Sequence, residues 1–124
     1  MVAFQCPECR GTLRITDRIE LPPDSRSDEI TLQIVGCRDC RFAAIAVYEE
    51  SRRGALDSES IDHRGFRLAA ADLKALRKQM RSCPQRGNPR CECATHRWLG
   101  RTDMSGRWAG LADLELGDWF AMER

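Results

Sequence analysis

Two Cys-x-x-Cys pairs, Cys6-Pro7-Glu8-Cys9 and Cys37-Arg38-Asp39-Cys40, constrain this chain more than any other feature. A two-residue spacer lets one tight turn aim both sulfurs at the same point. Two such turns, separated by strand-like sequence, supply the four thiolates that a tetrahedral ion takes at about 2.3 Å. A second cluster follows: Cys83, Cys91, Cys93 and His96 place four donors within 14 residues. The Pro- and Gly-rich stretch between Cys83 and Cys91 allows the chain to fold back on itself. Together the clusters use all seven cysteines. An odd count suits disulfides poorly, whereas four sulfurs in one set and three plus an imidazole in the other suit metal. The expected cofactor is Zn²⁺, two per chain, with iron as the alternative at the four-thiolate site. The competing readings are buried free thiols at the first cluster and, at the second, Cys91 and Cys93 facing opposite ways with His96 in solvent. His63 is the reserve ligand, read otherwise as a surface histidine.

Composition agrees with a need for such staples. The chain has 124 residues, of which 31% are charged and 6% aromatic, so one domain or two small modules must fold around a limited core. No apolar run approaches the roughly 18–20 residues of a transmembrane helix. The N-terminus has neither a basic n-region nor an apolar h-region, which argues against a signal peptide. A cytoplasmic location is therefore expected, where thiols stay reduced and paired cysteines favour metal.

Thr12 to Leu21 alternates, with Leu13, Ile15, Ile19 and Leu21 on one face and Asp17 interrupting it. Ile30, Leu32 and Ile34 alternate similarly, and both stretches read as half-buried strands. The connector from Pro22 to Glu29 is rich in turn formers and charge and predicts an exposed loop. Phe42 to Tyr48 is a denser apolar run, a better-covered strand that ends at Arg52-Arg53-Gly54. The order over residues 4–50 is short strand, knuckle, strand, loop, strand, knuckle, strand. This resembles the zinc ribbon, with its rubredoxin-like knuckles. The resemblance implies a three-stranded antiparallel sheet and one ion held by Cys6, Cys9, Cys37 and Cys40. One departure is local: ribbon knuckles usually carry Gly directly after the second Cys, and here those positions are Arg10 and Arg41.

Ser58 to Gly65 reads as a polar linker, and Leu68 to Arg81 as the main helix. With Ala69 as N-cap, Asp72 falls at N3, where a carboxylate suits the helix dipole, and Leu68 and Leu73 form a hydrophobic staple. Ala69, Leu73, Leu76 and Met80 make one apolar stripe, read as ordinary core facing the open side of the sheet. Pro84 stops the helix. The fold class expected is thus a small α+β metal-stapled protein. Residues 1–59 form the ribbon, 60–107 the helix and second metal loop, and 108–124 an apolar, acidic tail.

Net charge is +1 but unevenly spread. Residues 1–59 carry 8 Lys/Arg against 11 Asp/Glu, residues 60–107 carry 11 against 4, and residues 108–124 carry 1 against 4. Arg67, Lys74, Lys78 and Arg81 fall at helical spacing away from the apolar stripe and are candidate contacts to nucleic acid or another polyanion. The bland alternative is a solvated helix face. Arg10, Arg38 and Arg41, then Arg90 and Arg97, lie where the anionic charge of metal thiolates needs offsetting, and the knuckle arginines are discounted for that reason. In the tail, Trp108, Trp119 and Phe120 either close the protein's own core or dock a protein partner. No P-loop, GxSxG, HExxH or dinucleotide fingerprint occurs. Both donor sets are already four-fold, so no catalytic residues, no enzyme, no small-molecule substrate and no membrane association are expected. The leading expectation is a zinc-binding interaction module that contacts polyanions. The alternatives are an adaptor docking through its tail, and a redox sensor releasing zinc from the three-thiolate site.

Overall fold

The computed structural model describes residues 3–52 and 60–124. The end of the expected strand at Arg53-Gly54, and the beginning of the expected linker at Ser58, lie outside the described residues. Among the described residues six strands follow one another in a single antiparallel meander: β1 (Phe4–Gln5), β2 (Thr12–Leu21), β3 (Glu29–Cys37), β4 (Ala43–Ser51), β5 (Ser60–Phe66) and β6 (Trp119–Ala121). Helices α1 (Ala70–Ser82) and α2 (Ala94–Leu99) lie between β5 and β6 in sequence. The sheet curls until the Gln5 N–H of β1 donates to the carbonyl of Glu123, two residues beyond β6, at 2.6 Å.

The three strands expected from the alternation form β2, β3 and β4, but they are the middle of a wider sheet. Residues 60–65, expected to lie in a linker, form with Phe66 a strand pairing Ile45↔Phe66 through Ser51↔Ser60 with β4. Sheet strands come from all three sequence segments. No helix among the described residues is long and apolar enough to cross a membrane.

The even alternation of β2 does not survive intact. Leu13 and Ile15 pack on one side of the sheet, with Phe4, Val35, Ala44, Ala46 and Phe120. Ile19 and Leu21 pack on the other, with Ile30, Leu32, Ile34, Ile45 and the helices. The cause is a register shift between Ile15 and Asp17: Ile15 pairs with Val35 and Asp17 with the adjacent Ile34. One extra residue, Thr16, reverses the faces of everything after it. The bulge thereby lets one strand feed two cores, the first around Ile19, Leu21 and the helices and the second around Leu13, Ile15 and Phe120.

Helix α1 begins after Ala69 with Asp72 in its first turn and ends at Ser82, before Cys83 and Pro84. Leu73, Leu76 and Met80 are buried against β2 and β4; each such side chain contributes about 1.5–3 kcal/mol of hydrophobic stabilisation. Leu68 packs against the same cluster, while Ala69 is exposed. The connector between β2 and β3 is less exposed than its composition predicts. The Asp24 carboxylate, with its side chain 1% exposed, accepts the backbone N–H groups of Arg26, Ser27 and Trp108 and pairs with Arg107 at 2.6 Å. That one carboxylate ties the connector to the chain after α2.

Candidate metal centres

The two knuckles meet beyond the ends of the β1–β2 and β3–β4 hairpins. Cys6 and Cys40 sulfurs are 3.8 Å apart and Cys9 and Cys37 sulfurs 3.5 Å apart. All four lie within 4.8 Å of one another. Sulfurs at about 2.3 Å from a tetrahedral zinc would be separated by about 3.8 Å; a disulfide needs about 2.0 Å. The donor set therefore fits an ion, and the seven cysteines are free thiols. Backbone N–H groups point at the sulfurs: Gly11 at Cys9, Asp39 and Cys40 at Cys37, and Phe42 at Cys40. These bonds favour thiolate over thiol. Burial would raise Cys37, but the Asp39 and Cys40 N–H groups outweigh it and bring the thiol down to about 7. For Cys40 the Phe42 N–H acts downward, yet burial and the neighbouring sulfurs push it up to about 12. Stripped of metal, four adjacent sulfurs do not ionise together; a cation is what allows all four to be thiolates.

The missing knuckle glycine has a structural answer. Arg10 occupies the left-handed region with φ 64°, alone among the described non-glycine residues, and Arg41 does not. The glycine one step later serves another purpose, since a Cβ on Gly11 would strike the Asp39 side chain. Asp39 comes that close because its carboxylate accepts the Thr12 N–H at 2.8 Å, linking one knuckle to the other.

The second cluster assembles where α1 ends. Cys83 is the C-cap of α1 and Cys93 the N-cap of α2, and the Cys93 sulfur accepts the His96 N–H. The turn from Pro84 to Arg90 brings Cys91 to within 3.8 Å of Cys83, sulfur to sulfur. His96 directs Nδ1 at this group, 3.1 Å from the Cys83 sulfur and 3.3 Å from that of Cys93. Its Nε2 is 2.9 Å from the Glu20 carbonyl and donates to it. That bond leaves the Nδ1 lone pair free, the tautomer and orientation a ligating histidine requires. Burial raises Cys83 to about 11. Cys93 falls to about 6, because the His96 N–H and ring outweigh burial. The three sulfurs and the imidazole all lie within 4.8 Å of one another, so this set too could hold a metal ion.

The module also covers an edge. Strand β1 pairs with β2 only at Leu13 and Thr12. Farther along, Glu20 donates its N–H to the Arg86 carbonyl at 2.8 Å and gives its carbonyl to His96. The metal loop thus satisfies backbone groups of β2 that β1 leaves open.

His63 is neither the reserve ligand nor a surface residue. It lies on β5 between the rings of Phe4 and Tyr48, bonds Gln33 at 2.7 Å, and has its pKa lowered by burial. The basic candidates divide. Lys74 and Lys78 are exposed on α1. Arg81 donates to Asp17 at 2.7 Å, and Arg67 pairs with Glu8 at 2.9 Å beneath the rings of Phe42 and Phe120. The tail candidates divide as well. Phe120 is buried in the second core. Trp108 packs on the first and donates from its indole to the Leu99 carbonyl. Trp119 is 58% exposed, with the Arg64 guanidinium over its ring.

Sequence reasoning missed Asp17 and Arg77. The Asp17 side chain is 2% exposed and sits against Arg77, Arg81 and Arg86. Burial opposes its ionisation, but bonds from Arg81, Thr16 and Arg77 prevail and lower its pKa. The available signal was a lone acid in an apolar alternation facing a helix with arginines at i and i+4. Comparison of the chain with protein-family models, with curated proteins and with solved structures finds no match.

Proposed function

We propose that the chain is a zinc-stapled binding module without catalytic activity, and that the exposed basic face of α1 contacts nucleic acid or another polyanion. The observation that carries the reading is the closure of both donor sets. Each brings four sulfur or nitrogen atoms of the chain itself within 4.8 Å. An ion bound by four protein atoms keeps no position for water or substrate, which is the mark of a structural zinc. The polyanion reading rests on the charge excess of residues 60–107 and on Lys74 and Lys78, which are exposed. Arginines at ion pairs are not lost to this role: Arg77 bonds Asp17 through Nε alone, and Arg67 and Arg81 bond their carboxylates through Nε and Nη2, which leaves Nη1 of each to donate elsewhere.

Elemental analysis of the purified protein tests the first part; two zinc ions per chain are expected, with chelation abolishing the folded circular-dichroism spectrum. A metal-free chain that stays folded, or thiols joined in pairs, would overturn it. For the second part, the Lys74→Gln/Lys78→Gln variant should weaken retention on immobilised nucleic acid and flatten its salt dependence; unchanged retention rules the reading out. Docking of a protein partner through the C-terminal segment is the second reading, favoured by Trp119 and Leu116, which are 58% and 38% exposed.

A further inference from the structure

We infer that Arg77, Arg81 and Arg86, gathered around Asp17, form a site for a phosphoryl oxyanion, namely a phosphate of the nucleic-acid backbone. The inference rests on the polyanion reading above and locates its contact. Arg77 and Arg81 both spend Nε on the Asp17 carboxylate, at 3.1 and 2.7 Å, and Arg86 brings Nη1 to 3.8 Å. One guanidinium suffices to compensate one buried carboxylate. Three leave the cluster at +2, and mutual repulsion opposes that gathering unless an anion joins it.

The geometry suits an oxyanion. With Nε bound to Asp17, the Nη groups of Arg77 and Nη1 of Arg81 have no partner among the described residues, and these are the donors that match phosphate oxygens. Arg86 comes from a different element, and its place is fixed because its own carbonyl accepts the Glu20 N–H at 2.8 Å. The side chains keep solvent access: Arg77, Arg81 and Arg86 are 33%, 59% and 44% exposed. On the Arg86 side of the cluster the Thr16 bulge opens a groove of about 330 Å³, lined by Asp17, Arg18, Arg86 and Gly87, with Arg77 and Arg81 outside it across Asp17. Lys74 and Lys78 share with Arg77 and Arg81 one arc of about 100° on α1. A backbone entering the groove therefore meets further positive charge as it leaves.

The test uses the full metal-loaded chain. Arginine Nε–Hε resonances are followed while inorganic phosphate is added, against sodium chloride at equal ionic strength. Saturable shifts at Arg77, Arg81 and Arg86 with phosphate alone, lost in Arg86→Gln, are expected; Arg86→Gln leaves both closer bonds to Asp17 in place. Absent saturation, or equal shifts in chloride, overturns the inference. A second arm measures oligonucleotide binding against salt. Arg86→Gln should reduce the slope of log K on log salt by about 0.7–0.9. Should only Lys74→Gln/Lys78→Gln change that slope, the arginine site is overturned while the polyanion reading stands. Should phosphate saturate the site while no oligonucleotide binds, the nucleic-acid source is overturned along with that reading, and the oxyanion site itself is upheld.

Discussion

The His96 imidazole and the Glu20 backbone carbonyl, 76 residues apart in sequence, are joined by a 2.9 Å hydrogen bond. It does two things at once. It fixes which ring nitrogen faces the three sulfurs, and it fastens the second cluster to the exposed edge of β2. A single side chain thus couples the candidate second metal site to the sheet edge.

Two substitutions separate those roles. His96→Ala removes a ligand and the tie, and metal content should fall from two ions per chain to one. His96→Cys restores a fourth donor but cannot reach Glu20 in the same way; both ions should remain while stability drops by about 1 kcal/mol, the usual net value of one hydrogen bond. Elemental analysis and denaturant titration read the two effects. Equal metal loss in both variants would show that the imidazole geometry, rather than the donor count, governs the site.

Asp17 makes stability depend on pH in a defined direction. Its folded-state pKa lies below the ordinary 3.8. Its contribution is therefore complete above that ordinary value and is lost as pH falls through the lower, folded one. Asp17→Asn should be less stable than the parent at pH 7 by about 1.5–3 kcal/mol, the range for bonds to a charged group. The gap should hold from pH 5 to 8 and close only below about pH 3.8. Comparing the two proteins at each pH cancels any acid release of metal, which would act on both alike. A gap that closes already between pH 5 and 7 would contradict the assignment.

How much of this could be read in the sequence follows from what each residue type can signal alone. Both knuckles, the strands that carry them and the limits of α1 rest on local chemistry: thiol spacing, alternation, a dipole-placed acid and a stopping proline. The second cluster was legible for the same reason. Strand β5 was not, because Asp62, His63 and Arg64 mask its alternation. It becomes a strand only through tertiary partners, β4 on one side and β6 on the other. The bulge at Thr16 was equally silent, since shifting register by one residue leaves the apolar pattern unchanged and alters only which core each side chain enters. Nothing local marks Arg67 and Arg81 as paired, because their partners, Glu8 and Asp17, are 59 and 64 residues away.

Gly65 is required by a neighbour rather than by its own backbone. It pairs with Phe120 across β5 and β6, and a Cβ there would enter the Phe120 ring. Gly65→Ala should displace Phe120 from the second core and cost about 1–3 kcal/mol, the range for overpacking. Hydrogen exchange should show β6 opening first. A variant as stable as the parent would mean that Phe120 turns aside freely and that β6 contributes little to the second core.

The knuckle arginines give a paired test of backbone strain at the first centre. Arg10 sits at φ 64°, a conformation that costs an ordinary L-residue about 1–2 kcal/mol and glycine almost nothing. Arg10→Gly relieves that strain, although the added freedom of the unfolded chain takes back about 0.4–1 kcal/mol. The net expectation is a gain of about 0.5–1 kcal/mol. Arg41 occupies the equivalent place in the second knuckle without a positive φ. Arg41→Gly relieves nothing there, so only the unfolded-state term acts, and a loss of about 0.5–1 kcal/mol is expected. Opposite signs in denaturant titrations of the metal-loaded variants are the predicted result. Each substitution removes one positive charge beside the same four sulfurs, so charge alone predicts a loss in both; a loss in both would place the weight on offsetting the thiolates rather than on the turn.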